Sequence, residues 1–369
     1  MKSVDRRAFV TGAGALALAG CTPENAAGGG GKSAGKSYKW KMGTTWSPTF
    51  PVLQDSAKNI AKWIAEMSGG RMQIEVYGAN ELIPALDVFE NVGLGAIEMG
   101  HGAAYYWKGK VAAAPFFTSV PFGMNAQQMN AWLYHGGGLE IWQKTYAPHN
   151  VVPMPIGNTG VQMGGWFRKE INSIADIKGL KMRIPGIGGD VFTAAGGSAE
   201  LIAGPEIYNA LQLGQIDATE WIGPYHDQLQ GFHNIAQYYY YPGWHEPGSV
   251  MELTINKQAW DGLDSELQAI ITSAAVRSNM TMLSQFEAQN NAALVELVEK
   301  NVNLKRFPDD VLATFRSLTD DVLTDLAGKD AFAKEAYDSF STFRKQANGW
   351  APYSELAYYD HIAGLASKT

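Results

Sequence analysis

A chain of 369 residues, 46% of them apolar, is long enough for two domains of ordinary size. Its formal charge of −7 becomes −9 once residues 1–20, with three basic side chains and one acid, are set aside, and this acidity argues against nucleic acid as a partner. The single cysteine, Cys21, excludes an intramolecular disulfide, a cysteine metal cluster and a thiol redox pair.

Residues 1–20 join a charged start to a short run of Ala, Leu and Gly. That is the layout of an export signal, and it is too short to span a bilayer as a helix. Arg6-Arg7-Ala8-Phe9-Val10 adds a twin-arginine pattern, which points to export in a folded state. Leu18-Ala19-Gly20-Cys21 matches a bacterial lipobox. Cys21 is therefore expected to be acylated and to anchor the mature protein to a membrane outside the cytoplasm, each buried CH₂ contributing ~0.8 kcal/mol. Residues 21–37 are rich in Gly, Ala and Ser and read as a flexible tether. Within them, 30–37 fits the phosphate-binding G-x-x-x-x-G-K-S loop. No strand precedes it and no helix follows, so nucleotide binding is rejected.

Beyond the tether, strand-like and helix-like segments alternate. Strands are predicted at 38–43, 72–77 and 96–100, with helices at 52–67 (Leu53, Ala57, Ile60, Trp63 and Ile64 on one face) and 84–92. This βαβ rhythm implies largely parallel sheets covered by helices. A second α/β unit follows: a Gly-rich strand pattern over 151–167, a strand at 180–184, helices at 189–195 and 206–213, and a short strand at 216–218. After a strand at 251–256, a long helix runs to about Asn301, with Ser265 and Gln268 as its expected capping box. At ~1.5 Å per residue it is long enough to back both units. Apart from a short strand at 302–307, the remainder reads as helical. The Tyr238–Tyr241 run suggests packing or a dimer surface.

Enzyme signatures are sparse. Beyond the tether, where 31–35 match G-x-S-x-G only by composition, there is no G-x-S-x-G, H-E-x-x-H or G-x-G-x-x-G, and His245-Glu246-Pro247 cannot open a zincin helix because proline sits inside it. Two longer blocks carry a resemblance instead. The run Asp176-Ile177-Lys178-Gly179-Leu180-Lys181-Met182-Arg183-Ile184-Pro185-Gly186, and the run from Glu206 through Gly214-Gln215-Ile216-Asp217-Ala218-Thr219 to Glu220, resemble the central motifs of the solute-binding proteins of TRAP transporters. The likeness covers essentially the whole mature length. Gly157-Asn158-Thr159-Gly160-Val161-Gln162, with Glu220-Trp221-Ile222-Gly223-Pro224-Tyr225, is similar to the subgroup that binds 2-oxo acids with a metal ion. Sialic-acid receptors of that family carry an arginine where this chain has Gln162.

The resemblance implies a two-domain, periplasmic-binding-protein-like α/β fold with hinge strands, a long backing helix and a helical C-terminus. Domain I is expected at 38–161 and 249–289. Domain II is expected at 162–248 and 290–369, including the C-terminal helices. The implied function is a receptor outside the cytoplasm that hands a small monocarboxylate to membrane permease subunits. The alternative is a metal-assisted carboxylate-processing enzyme of the lyase or hydrolase class. That reading needs a base, and neither Lys178 nor Lys181 has an evident route to the site. A structural or adhesive lipoprotein is the third possibility.

Arg183 ends a predicted buried strand, where a charge is costly unless paired. Its planar fork matches a carboxylate, and the competing reading is an internal salt bridge. The resemblance assigns the carboxylate. Gln162 and Glu220 offer the oxygens that hard cations prefer, and a Na⁺ (or Ca²⁺) would balance their charge against that of the ligand. The family pattern adds the backbone carbonyl of Trp221 and makes Gln162 touch both ligand and ion. Read alone, Glu220 is a solvated loop acid. Glu246 is a weaker second carboxylate that could equally cap the loop at Pro247. Asn158 and Tyr105 are candidate donors to a 2-oxo oxygen, with Tyr105 and Tyr106 ambiguous by one position and a core aromatic cluster as the alternative. The subgroup includes dimers that exchange a C-terminal helix, and the tail here carries Trp350, Tyr353, Leu356, Tyr358 and Tyr359, so a homodimer is expected.

Overall fold

The computed structural model describes residues 36–366. The export signal, the lipobox with Cys21 and most of the Gly-rich stretch lie outside the described residues. Eleven strands follow in chain order: β1 (Tyr38–Thr44), β2 (Met72–Tyr77), β3 (Met99–Gly102), β4 (Val151–Asn158), β5 (Gly165–Phe167), β6 (Lys181–Arg183), β7 (Ser198–Glu200), β8 (Ala218–Thr219), β9 (Tyr238–Tyr241), β10 (Val250–Asn256) and β11 (Asn303–Arg306). They form two sheets, of order β2-β1-β3-β10-β4 and β11-β9-β5-β8-β6-β7. With the helices packed around them, this is the α/β fold expected.

The sheets are mixed, not largely parallel. β10 runs antiparallel to both β3 and β4, and β5 antiparallel to both β8 and β9. These are the strands that the chain enters by its two short passages from one sheet to the other; a third crossing, from β10 to β11, runs by way of the helix Ser265–Glu299. The expected strand pattern over 151–167 is in fact two strands in two sheets. Gly160 (φ 71°) and Gly165 (φ 113°) take left-handed conformations that end one and start the next. The return passage, residues 242–249, lies against the outward one. Thr159 N–H donates to Ser249 O (3.0 Å), Gln162 N–H to Glu246 O (3.1 Å) and Gly243 N–H to Gln162 O (3.0 Å). A Cβ on Gly243 would sit 2.1 Å from the Gln162 carbonyl oxygen, so only glycine fits there.

The long helix is Ser265–Glu299, about 52 Å at ~1.5 Å per residue. It packs along β4 and against the helices Leu53–Met67 and Pro224–Gln230. Its cap is one residue earlier than expected: Asp264 accepts from Leu267 N–H (2.9 Å), while the Gln268 amide donates to Trp260 O (3.0 Å). Of the C-terminal helices, Asp309–Ala327 lies on Gly186–Ala194, and Ala331–Trp350 lies on Ala126–His135 and Gly138–Tyr146. The last two helices carried no clear sequence signal. The tyrosine run forms β9, with Tyr239 and Tyr240 buried and Tyr239 stacked on Trp166 at 4.0 Å. Packing, then, accounts for it. The tail leaves Trp350, Tyr353, Leu356, Tyr358 and Tyr359 exposed. Among the described residues no helix is long and apolar enough to cross a membrane.

Candidate functional site

Arg183 closes β6, which lies between β7 and β8. Glu220 follows β8 directly, and its N–H donates to Arg183 O (3.2 Å), so the ladder itself sets the two side chains together. Both are buried, at 1% and 0% exposure. Arg183 Nε donates to Ile202 O (3.1 Å), Nη1 to a Glu220 carboxylate oxygen and to Glu220 O (3.3 Å), and Nη2 reaches the Tyr106 hydroxyl at 3.5 Å. Its Cζ lies 5.2 Å from the Trp221 ring centre. Burial works against the guanidinium charge, but Glu220, the two tyrosines and Glu246 outweigh it and hold Arg183 above its ordinary value.

The return passage brings two further groups. His245 Nε2 lies 3.4 Å from the second Glu220 oxygen, and burial takes the imidazole down to about 4, so it is neutral near pH 7. Glu246 is 3% exposed and accepts from Ser249 Oγ. Burial pushes Glu220 up to about 7 against the pull of Arg183, and pushes Glu246 to about 7 with Glu220 adding to it. One guanidinium facing two carboxylates in a dry site leaves a negative charge uncompensated, which is costly.

The donor set fits a hard cation. Gln162 Nε2 donates to Thr159 Oγ1 (3.1 Å), while Gln162 Oε1 and Glu246 Oε1 are buried acceptors without a hydrogen-bond partner among the described residues. Such oxygens, with Glu220, are what Na⁺ or Ca²⁺ would satisfy. Asn158 ends β4, and its Oδ1 accepts from Gly160 N–H (2.9 Å), which leaves Nδ2 as a buried, unpartnered donor. Both tyrosines face the cluster, Tyr106 through Arg183 and Tyr105 through the charge of Glu246, which after burial most strongly raises its phenol. Together with Ile184, Pro185 and Gly186 they line a cleft of about 200 Å³. Lys178 and Lys181 are exposed.

The structure thus gathers Arg183, Glu220, Glu246, Trp221 and both tyrosines, with Gln162 joined to Glu246 through the backbone and Asn158 at the end of β4 that leads into the same passage. Sequence reasoning missed His245, Ser249 and Asp227. The Asp227 carboxylate accepts from Trp166 Nε1 (3.0 Å), Tyr239 OH (2.7 Å) and Ile222 N–H (3.1 Å), and so pins the segment that carries Glu220 and Trp221. Its only signal is a place two residues beyond the Glu220–Tyr225 block.

Known proteins resemble this chain over most of its length. Residues 42–330 match the family model "Bacterial extracellular solute-binding protein, family 7". The chain is 44% identical over 343 residues, 93% of each chain, to a monocarboxylate 2-oxoacid-binding periplasmic protein of Nostoc sp.. A TRAP periplasmic solute-binding protein of Pseudoalteromonas atlantica, solved with bound sodium and pyruvate, superposes with a TM-score of 0.86 at 43% identity, covering 88% of this chain and 99% of that one. A TRAP solute-binding protein of Bordetella bronchiseptica, a dimer with copurified calcium and picolinate, gives 0.88 at 36% identity over 90% and 100%. These relatives are receptors and not enzymes. The family match across most of the chain, with the fold it shares, makes this protein a member of the TRAP transporter solute-binding proteins.

Proposed function

We propose that the protein is a receptor outside the cytoplasm for a small 2-oxo monocarboxylate such as pyruvate, or its 2-hydroxy counterpart, taken up together with Na⁺ or Ca²⁺. Arg183 supplies the fork for the carboxylate, with Tyr105 or Tyr106 beside it. The Asn158 amide donates to the 2-oxo oxygen. Gln162 Oε1, Glu220, Glu246 and the Trp221 carbonyl hold the cation, which offsets the second carboxylate and shields the bound anion. The observation that carries this reading is the set of buried, unpartnered atoms on the two paired segments between the sheets, one donor on Asn158 and two acceptors on Gln162 and Glu246. Relatives with bound pyruvate or picolinate and sodium or calcium support it.

On this reading residues 38–161 and 249–289 close against 162–248 and 290–369 around the solute. Cys21 tethers the receptor to the membrane, and the loaded form is delivered to permease subunits. The exposed aromatic tail pairs two copies, and a monomeric mass by light scattering well above micromolar concentration would refute that assembly. The central test is calorimetry of pyruvate in sodium, calcium and choline buffers. Binding that requires one of the two metal ions is expected. Equal binding in choline, or none in any buffer, overturns the reading.

A further inference from the structure

The cation reading uses oxygen donors and leaves one buried group without a task. His245 Nε2 stands 3.4 Å from Glu220 Oε2, long for a hydrogen bond, and Nδ1 has no partner among the described residues. The separation has another meaning. Two ligands sharing a tetrahedral ion at bonds of about 2.0–2.1 Å sit about 3.3–3.4 Å apart. A carboxylate oxygen of Glu246 completes a trio whose ligand atoms all lie within 4.8 Å of one another, and all three residues are buried. The imidazole is held in place: its Cβ packs where a side chain on Gly188 would come within 2.9 Å, and its ring lies edge-on to Trp244 at 5.4 Å.

We propose that Glu220, His245 and Glu246 form a site for a borderline divalent ion of the zinc or cobalt class, with His245 Nε2 as its nitrogen ligand. The inference rests on the cation-site reading above and extends it to a different class of ion. Imidazole suits these metals, whereas Na⁺ and Ca²⁺ select oxygen alone. Charge favours a divalent ion over Na⁺, and the imidazole then favours this class over Ca²⁺. Arg183 and two carboxylates sum to one negative charge, so a divalent ion brings the site to one positive charge, the match for a single carboxylate. A monovalent ion leaves it neutral before the solute arrives. Since the divalent ion takes Glu220, it displaces Na⁺ or Ca²⁺ from that oxygen.

Co²⁺ is the probe. Full-length protein cleared of metal with a chelator is titrated with CoCl₂. Visible bands more intense than those of the aqueous ion are expected, together with a hyperfine-shifted, solvent-exchangeable proton resonance from His245 Nδ1–H in the wild type. His245→Gln should lose that resonance and weaken Co²⁺ binding by more than the roughly 10–100-fold that removing an outer-sphere partner of a metal ligand costs. Na⁺ should shift the Co²⁺ titration to higher concentration. Wild-type protein with the spectrum of aqueous Co²⁺, or with no shifted exchangeable proton, overturns the assignment even if the variant fails to fold. A variant that keeps both spectrum and affinity also overturns it. Pyruvate calorimetry in sodium on the same preparation separates the two readings: pyruvate binding without the Co²⁺ signature removes the imidazole ligand and leaves the hard-cation site standing.

Discussion

Glu220→Gln sets the cation reading against its rival with opposite signs. The substitution removes one of two buried negative charges and keeps a carbonyl oxygen in place of the carboxylate that now takes Arg183 Nη1. If Glu220 holds a cation, the ion loses one partner of a desolvated charge pair. Such truncations cost about 2–5 kcal/mol, or about 30- to 5,000-fold in affinity. Because ion and solute are linked, pyruvate affinity at limiting sodium falls with it, and the loss shrinks as sodium approaches saturation. If Glu220 is merely an acid beside the carboxylate, removing it frees a guanidinium arm and relieves repulsion, and pyruvate binds more tightly. The variant also leaves Arg183 short of a counterion, which costs about 3–5 kcal/mol of stability, so a thermal melt precedes the titration. The assay is calorimetry of pyruvate across a sodium series balanced with choline. Tighter binding than wild type at every sodium concentration would refute the reasoning.

Arg183→Lys keeps the charge but loses the fork, so its weaker pyruvate binding should persist at saturating cation; full rescue by sodium would contradict a bidentate role. Asp227→Asn leaves one of three buried donors poorly served, so a stability loss of about 1–3 kcal/mol and weaker cation binding should appear together in melts and calorimetry. Glu252 is wholly buried against Trp107 and Tyr146, and burial pushes its carboxyl up to about 8. Its folded value lies above its unfolded one, so its stabilising contribution is complete below the ordinary carboxylate range and is lost as pH rises through about 8. Glu252→Gln should therefore melt progressively higher relative to wild type between pH 5 and pH 8.5, and a constant difference would contradict the shift.

Much of this fold was legible because periodicity is local. The long helix and β1–β2 announce themselves by spacing, and Arg183 by a charge at the end of a buried strand. The break inside 151–167 was not legible, since it depends on backbone angles at Gly160 and Gly165. Asp264 and Ser265 are both good caps, and only the turn geometry chooses between them. The site was half visible. Arg183, Glu220 and Gln162 sit in recognisable blocks, whereas His245 lies 25 positions from Glu220 and meets it only because two passages between sheets pair with each other. Asp227 acts through Trp166 and Tyr239, each on a different strand, and no single stretch of sequence contains that junction.

The two short passages between the sheets carry a consequence for how this receptor tolerates change. They bear Gln162, His245 and Glu246, and they are stitched to each other through the backbone of Thr159, Gln162, Gly243, Glu246 and Ser249. On the cation reading, the ion's ligands and the pairing that links the two sheets are therefore coupled. An alanine at Gly243, with no space beside the Gln162 carbonyl, or at Gly164, where a Cβ would meet the Phe307 ring at 2.3 Å, would retune the ion site without replacing any of its ligands.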